Sequence, residues 1–221
     1  MEPYESELRR YYAARAAEYD DDRLYPPDRQ PDLRYLRAFV PDFFAGKRVL
    51  DVACGTGSWT ERIAQSAKSV TGIDINPETL EIARRRPGLL GAKLAIADAY
   101  CLSEEIGVFD AAFVGFWFSH VPRSRIPEFL TSLHQRLHSG ATVLFIDNTD
   151  ALCRTIPISD RDHEGNAFQI RRLVDGTAFR VLKNFPTEAE LIAATAALGV
   201  NPIFRKLQHF WTLAYQSNAS R

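Results

Sequence analysis

The sequence predicts an α/β fold: a mixed, mostly parallel sheet of seven strands with helices on both faces. Three features of its 221 residues carry that prediction. Short apolar runs alternate with segments of helical period from residue 48 to residue 147, the pattern of successive βαβ units. A turn with two closely spaced glycines joins the first apolar run to the helix that follows it. The end of the chain breaks the rhythm with a hairpin signal and two adjacent strand-like runs, which put an antiparallel edge on the sheet.

Taken in order, Leu8, Tyr11, Tyr12, Ala16 and Tyr19 recur at helical spacing between Ser6 and Asp20, until Asp20-Asp21-Asp22 and Pro26-Pro27 end the pattern. A second helix near 32–40 is expected to stop before Pro41, because proline lacks the N–H that a helix interior needs. Strands at 48–52, 69–73, 93–96, 109–115 and 141–147 follow, separated by helices near 58–66, 77–86 and 124–138 and by a short link near 100–106. Ile170–Val174 and Thr177–Leu182 flank Asp175-Gly176, the signature of a two-residue hairpin turn. A helix at 187–198, closed by Gly199 as a cap, precedes strands at 202–207 and 209–215. The whole of 1–221 is expected to be one domain, with lid helices over 1–40 and an insertion at 150–185 that roofs the strand ends.

Composition removes several classes of function. Lys and Arg number 27 against 28 Asp and Glu, so no global positive field favours nucleic acid or an anionic membrane. Hydrophobic residues at 46% and charged residues at 25% are those of a globular chain with its own core. Cys54, Cys101 and Cys153 lack CxxC spacing and clustered histidines, which speaks against a disulfide framework or a structural metal and for a reducing cytoplasm. The start of the sequence is acidic without an apolar leader, and no run approaches the roughly 18 apolar residues of a membrane span. The expected partner is a small molecule, with no nucleic acid and no membrane, for a monomer or homodimer.

The most informative segment is Val49-Leu50-Asp51-Val52-Ala53-Cys54-Gly55-Thr56-Gly57-Ser58-Trp59-Thr60. A buried strand enters two glycines one residue apart and then a helix, which lets backbone approach a nucleoside-bearing ligand. Thr60 stands where a dinucleotide fingerprint has its last glycine, which disfavours a pyrophosphate cofactor. Asp74 ends the second strand 23 residues after Asp51, close to the roughly 20-residue offset at which an acid accepts from ribose hydroxyls. Asp98, at the tip of the third strand, can accept from an exocyclic amine such as that of adenine.

The segments VLDVACGTGSWT, TGIDINPETLEIAR, AIADAY and FDAAFVGFWFSHVP, in this order, resemble the first four motifs of the class I S-adenosylmethionine-dependent methyltransferases. The stretch from Tyr11 to Asp20 is similar to the lid helix of that family's small-molecule members, and the match covers roughly residues 10 to 150. The resemblance implies a Rossmann-like fold and S-adenosyl-L-methionine as cofactor. By it, Asp51 and the Ala53–Gly57 loop, with Cys54, Gly55 and Gly57, would hold the methionine portion beside Trp59. Asp74 and Ile75 would hold the ribose, and Asp98 with Ala99 the adenine. The family more often has glycine where Ala53 stands.

A sulfonium is a cation without donors, and aromatic faces stabilise such a cation by about 0.5–2 kcal/mol each. Tyr11, Tyr19, Phe116 and Trp117 are candidates for that contact, with core packing as the alternative. His120 follows the fourth strand, where open α/β sheets place ligands; it is a candidate base with Tyr11 as catalytic partner, or it caps a helix or bonds the cofactor carboxylate. His134 and His138 lie four apart on the expected helix but have no third ligand, so no metal is expected. Arg171 in the hairpin pairs an acidic substrate or is surface charge, and Asn148 and Phe185 are placed to contact the methionine chain. The expected function is methyl transfer to an oxygen or nitrogen of a small molecule in specialised metabolism. The alternatives are a cyclase or lyase giving azetidine-2-carboxylate and methylthioadenosine on the same fold, and a non-catalytic cofactor-binding partner protein.

Overall fold

A computed structural model describes residues 3–18, 20 and 27–218. Strand β1 (Arg48–Val52) lies in the interior of a seven-stranded sheet. Its Val49 faces one side of the sheet and Leu50 and Val52 the other, and all three are fully buried, so helices must cover both faces. Strands β2 (Ser69–Asp74), β3 (Lys93–Ile96), β4 (Phe109–Gly115) and β5 (Leu137–Asn148) run parallel to it. With β9 (Gly199–Lys206) and β10 (Phe210–Ser217) the order is β3-β2-β1-β4-β5-β10-β9, and β10 pairs antiparallel with both neighbours. This is the mixed seven-stranded sheet that the sequence predicts.

Helix α2 (Gln30–Phe43) and helix α3 (Ser58–Ile63) cover one face, where Leu36, Val40, Phe44 and Ile63 pack against Val49, Phe113 and Ile146. Helix α5 (Ile126–His134) and helix α6 (Glu188–Thr195) cover the other, where Phe129, Leu133 and Leu191 join Leu50, Val114 and Phe145. Helix α4 (Pro77–Arg84) follows β2. Strands β6 (Asp160–Arg161), β7 (Ala167–Arg172) and β8 (Ala178–Leu182) form a separate antiparallel sheet within residues 150–185. Helix α1 (Pro3–Arg15) packs on that sheet through Tyr11, whose ring meets Phe179 at 5.5 Å, and Glu7 accepts the Arg180 backbone N–H.

Four element boundaries differ from expectation. Helix α2 continues through Pro41 to Phe43, because a proline in the last turn forfeits one hydrogen bond while the extra turn buries Phe44 completely. The helix expected over 124–138 ends at His134; Leu137 pairs with Phe109 instead, so His138 is a strand residue and the two histidines never share a helix. His134 stacks on Tyr215 and His138 bonds Arg48. The β7–β8 turn has three residues rather than two: Leu173 N–H bonds Thr177 O, and Gly176 takes the left-handed φ of 88° that closes such loops. Gly199 opens β9 rather than capping α6, since a Cβ there would lie 2.3 Å from the Tyr215 ring. Among the described residues no helix is long and apolar enough to cross a membrane.

Candidate active site

A cleft of about 1140 Å³, partly open to solvent, lies beyond the C-terminal ends of β1 to β4. The loop after β1 forms its floor. Ala53 and Gly55 hold left-handed φ values of 55° and 56°, turning their backbone toward the cleft. Asp74, at the end of β2, fastens this loop: its Oδ2 accepts the Gly55 N–H and its Oδ1 the Asn76 N–H, each at 2.8 Å. Burial raises the Asp74 carboxyl, and these two N–H groups oppose the rise. Each carboxylate oxygen has a second lone pair, so the acid can still accept from a ligand diol.

The structure brings Ala53, Gly55, Asp74, Ile75, Asp98, Ala99, Phe116 and Trp117 together around this cleft. Asp51, Cys54, Gly57 and Trp59 stand behind the floor instead. Asp51 accepts from the Thr60 hydroxyl at 2.6 Å, and burial pushes its carboxyl up to about 7. Gly57 serves packing: with φ at 79°, a Cβ there would come within 2.7 Å of Leu89 and 2.9 Å of Ala83. At Gly55 a Cβ would meet nothing within 4 Å, so that glycine is the one adjoining open space. Trp59 packs on Phe113 and Phe116. Tyr19 lies outside the described residues.

A second cavity, of about 930 Å³ and likewise partly open to solvent, adjoins the first beside β7 and β8. Asn148, at the end of β5, and Arg171, on β7, line it. So does Tyr11, which lines this cavity and not the nucleoside-sized cleft. Phe185 is half-buried and lines neither. Tyr12, Phe116 and His120 line both cavities and so mark their boundary. Phe116 holds φ at 59°, a left-handed geometry that a bulky residue adopts only where its surroundings impose it.

His120 is fixed from three sides. Its Nδ1 donates to Leu182 O at 2.5 Å, which leaves Nε2 as the acceptor for the Tyr12 hydroxyl at 2.8 Å. Burial, reinforced by the positive charge of Lys183, pushes the imidazole down to about 3, so it is neutral at ordinary pH. Burial also raises the Tyr12 hydroxyl, which keeps its proton. Beneath them Lys183 forms a buried ion pair with Asp147 at 2.9 Å and donates to the Ser119 hydroxyl, while the Ser119 N–H bonds the other Asp147 oxygen. Tyr12 stood in the stripe of the first helix but was given no site role, and Lys183 escaped sequence reasoning, because an apolar strand gives no sign that the lysine after it is buried against a strand-end acid.

The cleft fits a nucleoside with an uncharged, donor-rich edge. Asn76 Oδ1, buried beside Asp74, has no hydrogen-bond partner among the described residues, and a ligand hydroxyl or amine is the complement it lacks. Among the described residues no group of three or more His, Cys, Asp or Glu is arranged to hold a metal.

Residues 49–140 match the family model described as "Methyltransferase domain". The chain superposes on the solved complexes of DhpI with SAH and with SAM and HEP at TM-scores of 0.75 and 0.77 and 29% identity, covering 97% of this chain and 97% and 98% of the others. Residues 49–140 thus match a methyltransferase domain, set in a fold that is similar over nearly its whole length to a solved S-adenosylmethionine complex. The fold of this chain also matches the N-methyltransferase NodS from Bradyrhizobium japonicum WM9 in its SAH complex, at TM-score 0.67 and 18% identity over 96% of this chain and 98% of that one. The demethylmenaquinone methyltransferase of Staphylococcus aureus (strain MRSA252) is 31% identical over 117 residues, 51% of this chain and 46% of the relative. The chain thus spans about half the length of the curated relatives it matches.

Proposed function

We propose that this protein transfers the methyl group of S-adenosylmethionine to an oxygen or nitrogen of a small molecule, as a step in specialised metabolism. The observation that carries this reading is the pair of cavities that meet at Tyr12, Phe116 and His120. Group transfer needs room for two molecules, whereas a cyclase acting on the methionine chain alone needs only one. Asp74 and Asn76 would take the ribose, Asp98 and Ala99 the adenine, and the Ala53–Gly55 backbone the methionine portion. Bound S-adenosylmethionine supplies an electrophilic methyl group, and its sulfur leaves with the electron pair of the broken bond.

The protein's own part is to hold acceptor and donor in line and dry, which can account for on the order of 7–11 kcal/mol of barrier lowering in favourable cases. Phe116 and Trp117 present aromatic surface at the cleft. His120 differs from the expected base of pKa near 6.5: held at about 3, it is too weak to collect a proton in that range. Its role here is to orient. A neutral imidazole fixed to Leu182 O holds the Tyr12 hydroxyl at the boundary, where that oxygen can in turn accept from an acceptor's N–H or O–H.

The test is incubation with S-adenosylmethionine alone and then with pooled small-molecule acceptors, identifying the nucleoside released. S-adenosylhomocysteine formed only when acceptors are added supports transfer. Methylthioadenosine formed without an acceptor would instead establish cyclisation or lysis.

A further inference from the structure

The glycine turn that floors the first cleft is fastened from two sides. Asp74 holds the Gly55 N–H from the end of β2. Thr56, the next residue, is held by two groups that the sheet does not supply: its hydroxyl donates to Asp20 Oδ1 at 2.9 Å, and its carbonyl accepts from Arg86 Nε at 2.6 Å. Arg86 also donates to Asp20 through Nη2, so Thr56, Asp20 and Arg86 close a ring of three hydrogen bonds. The guanidinium is set in place from its other side, because Glu61 of α3 accepts its Nη1 at 2.8 Å and the Gly88 N–H at 3.1 Å. Thr56 is buried and lines the cleft, directly after the left-handed Gly55.

Asp20 belongs to the N-terminal segment, which leaves α1 through a short turn, Ala16–Glu18, packed on α4. The same segment is tied to the cleft at Asn76, whose Nδ2 donates to Arg9 O at 3.4 Å. These two ties end on residues that line the cleft, Thr56 and Asn76, so displacing the segment changes the walls of the site itself. The Asp20 and Arg86 side chains are 33% and 21% exposed, so water reaches the ring and it can open without breaking the core. A ligand resting on the Ala53–Gly55 backbone favours the loop geometry that Asp20 grips, and by the reciprocity of linked equilibria a docked Asp20 tightens the loop on the ligand.

Resting on the cofactor placement proposed above, we propose that Asp20 and Arg86 are positioning residues that latch the N-terminal segment to the cofactor loop, and that the cofactor leaves only after this latch opens. Neither residue touches the reacting atoms. Their part is to set how fast spent S-adenosylhomocysteine is exchanged for fresh S-adenosylmethionine, by holding Thr56 from its hydroxyl and its carbonyl at once. A carboxylate at the hub of the ring makes the latch ionic, which gives it a signature in salt.

The test is the release of tritiated S-adenosylhomocysteine from the full chain, chased with an excess of the unlabelled compound. Asp20→Ala and Arg86→Gln are each expected to speed release roughly three- to thirtyfold, the span between an exposed ion pair and a hydrogen bond to a charged group. In the double variant the two effects should overlap rather than multiply, because either change opens the same ring. Added salt should speed release from wild type more than from the double variant, which has no such ion pair left to screen. The urea midpoint of ligand-free Asp20→Ala should stay near that of wild type. A merely structural role would lower that midpoint and leave release from the folded fraction unchanged, which would overturn the proposal. Effects that multiply in the double variant, or equal salt dependence in the double variant and wild type, would overturn it as well. Failure of the wild-type protein to bind S-adenosylhomocysteine would instead refute the cofactor placement on which the inference rests.

Discussion

Replacing Asp74 by Ala tests two roles of one side chain. In the structure both of its oxygens are occupied by the N–H groups of Gly55 and Asn76, and the residue is only 9% exposed. Removal therefore unfastens the loop as well as deleting the proposed ribose acceptor. Hydrogen bonds to a charged group contribute about 1.5–3 kcal/mol, so affinity for S-adenosylhomocysteine should fall roughly 10- to 150-fold. Leaving two nearly buried backbone donors without partners should cost about 2 kcal/mol or more in folding stability. Calorimetric titration well below the unfolding temperature separates the effects, because stoichiometry reports the folded fraction and the isotherm reports affinity per folded molecule. A variant that binds with unchanged affinity would refute the ribose assignment, and one that loses affinity without losing stability would refute the fastening role.

Gly57→Val should lower the urea midpoint, since a branched side chain at φ 79° would also drive into Leu89 and Ala83; an unchanged midpoint would contradict that packing. His120 should show no titration in ¹⁵N-resolved NMR between pH 5 and 8 and should carry its proton on Nδ1, given an imidazole pushed down to about 3. Because its folded value is depressed, the unfolded chain takes up the proton first as pH falls below about 6.5, so folding stability at this site drops from there toward pH 3. His120→Asn should flatten that part of the stability profile relative to wild type. Lys183→Met leaves the buried Asp147 charge without its cation and should destabilise by about 3–5 kcal/mol in equilibrium unfolding; a loss under about 1 kcal/mol would mean that the pair is solvated. Amides of α1 should gain protection from hydrogen exchange when S-adenosylhomocysteine binds, because Leu8 and Tyr12 line the cleft; equal protection in both states would make α1 a fixed wall rather than a lid.

The parallel strands were legible in the sequence because each contains a short, mainly apolar run with a glycine or an acid at or near its end, and hydrophobic period needs no tertiary knowledge. The boundaries that moved were set by partners distant in sequence: Leu137 by Phe109, Gly199 by the Tyr215 ring, and the turn of Phe44 by the core beneath it. Within the site, residues at strand tips were legible because the tip itself is where backbone turns toward a ligand, as at Ala53, Gly55, Asp74 and Asp98. Proximity to the motif was a weaker guide. Gly57 and Asp51 belong to the same segment, yet one packs against α4 and the other bonds Thr60. The second cavity was the least legible part, since Arg15, Arg29, Arg171 and Lys183 are scattered over most of the chain and meet only in the folded chain.

The most direct test of the account uses S-adenosylmethionine labelled in its methyl group, incubated with the protein and a metabolite extract that is then separated into small-molecule, protein and nucleic-acid fractions. The account predicts label in the small-molecule fraction, matched mole for mole by S-adenosylhomocysteine. Label in protein or nucleic acid, or release of methylthioadenosine without a labelled acceptor, would contradict it.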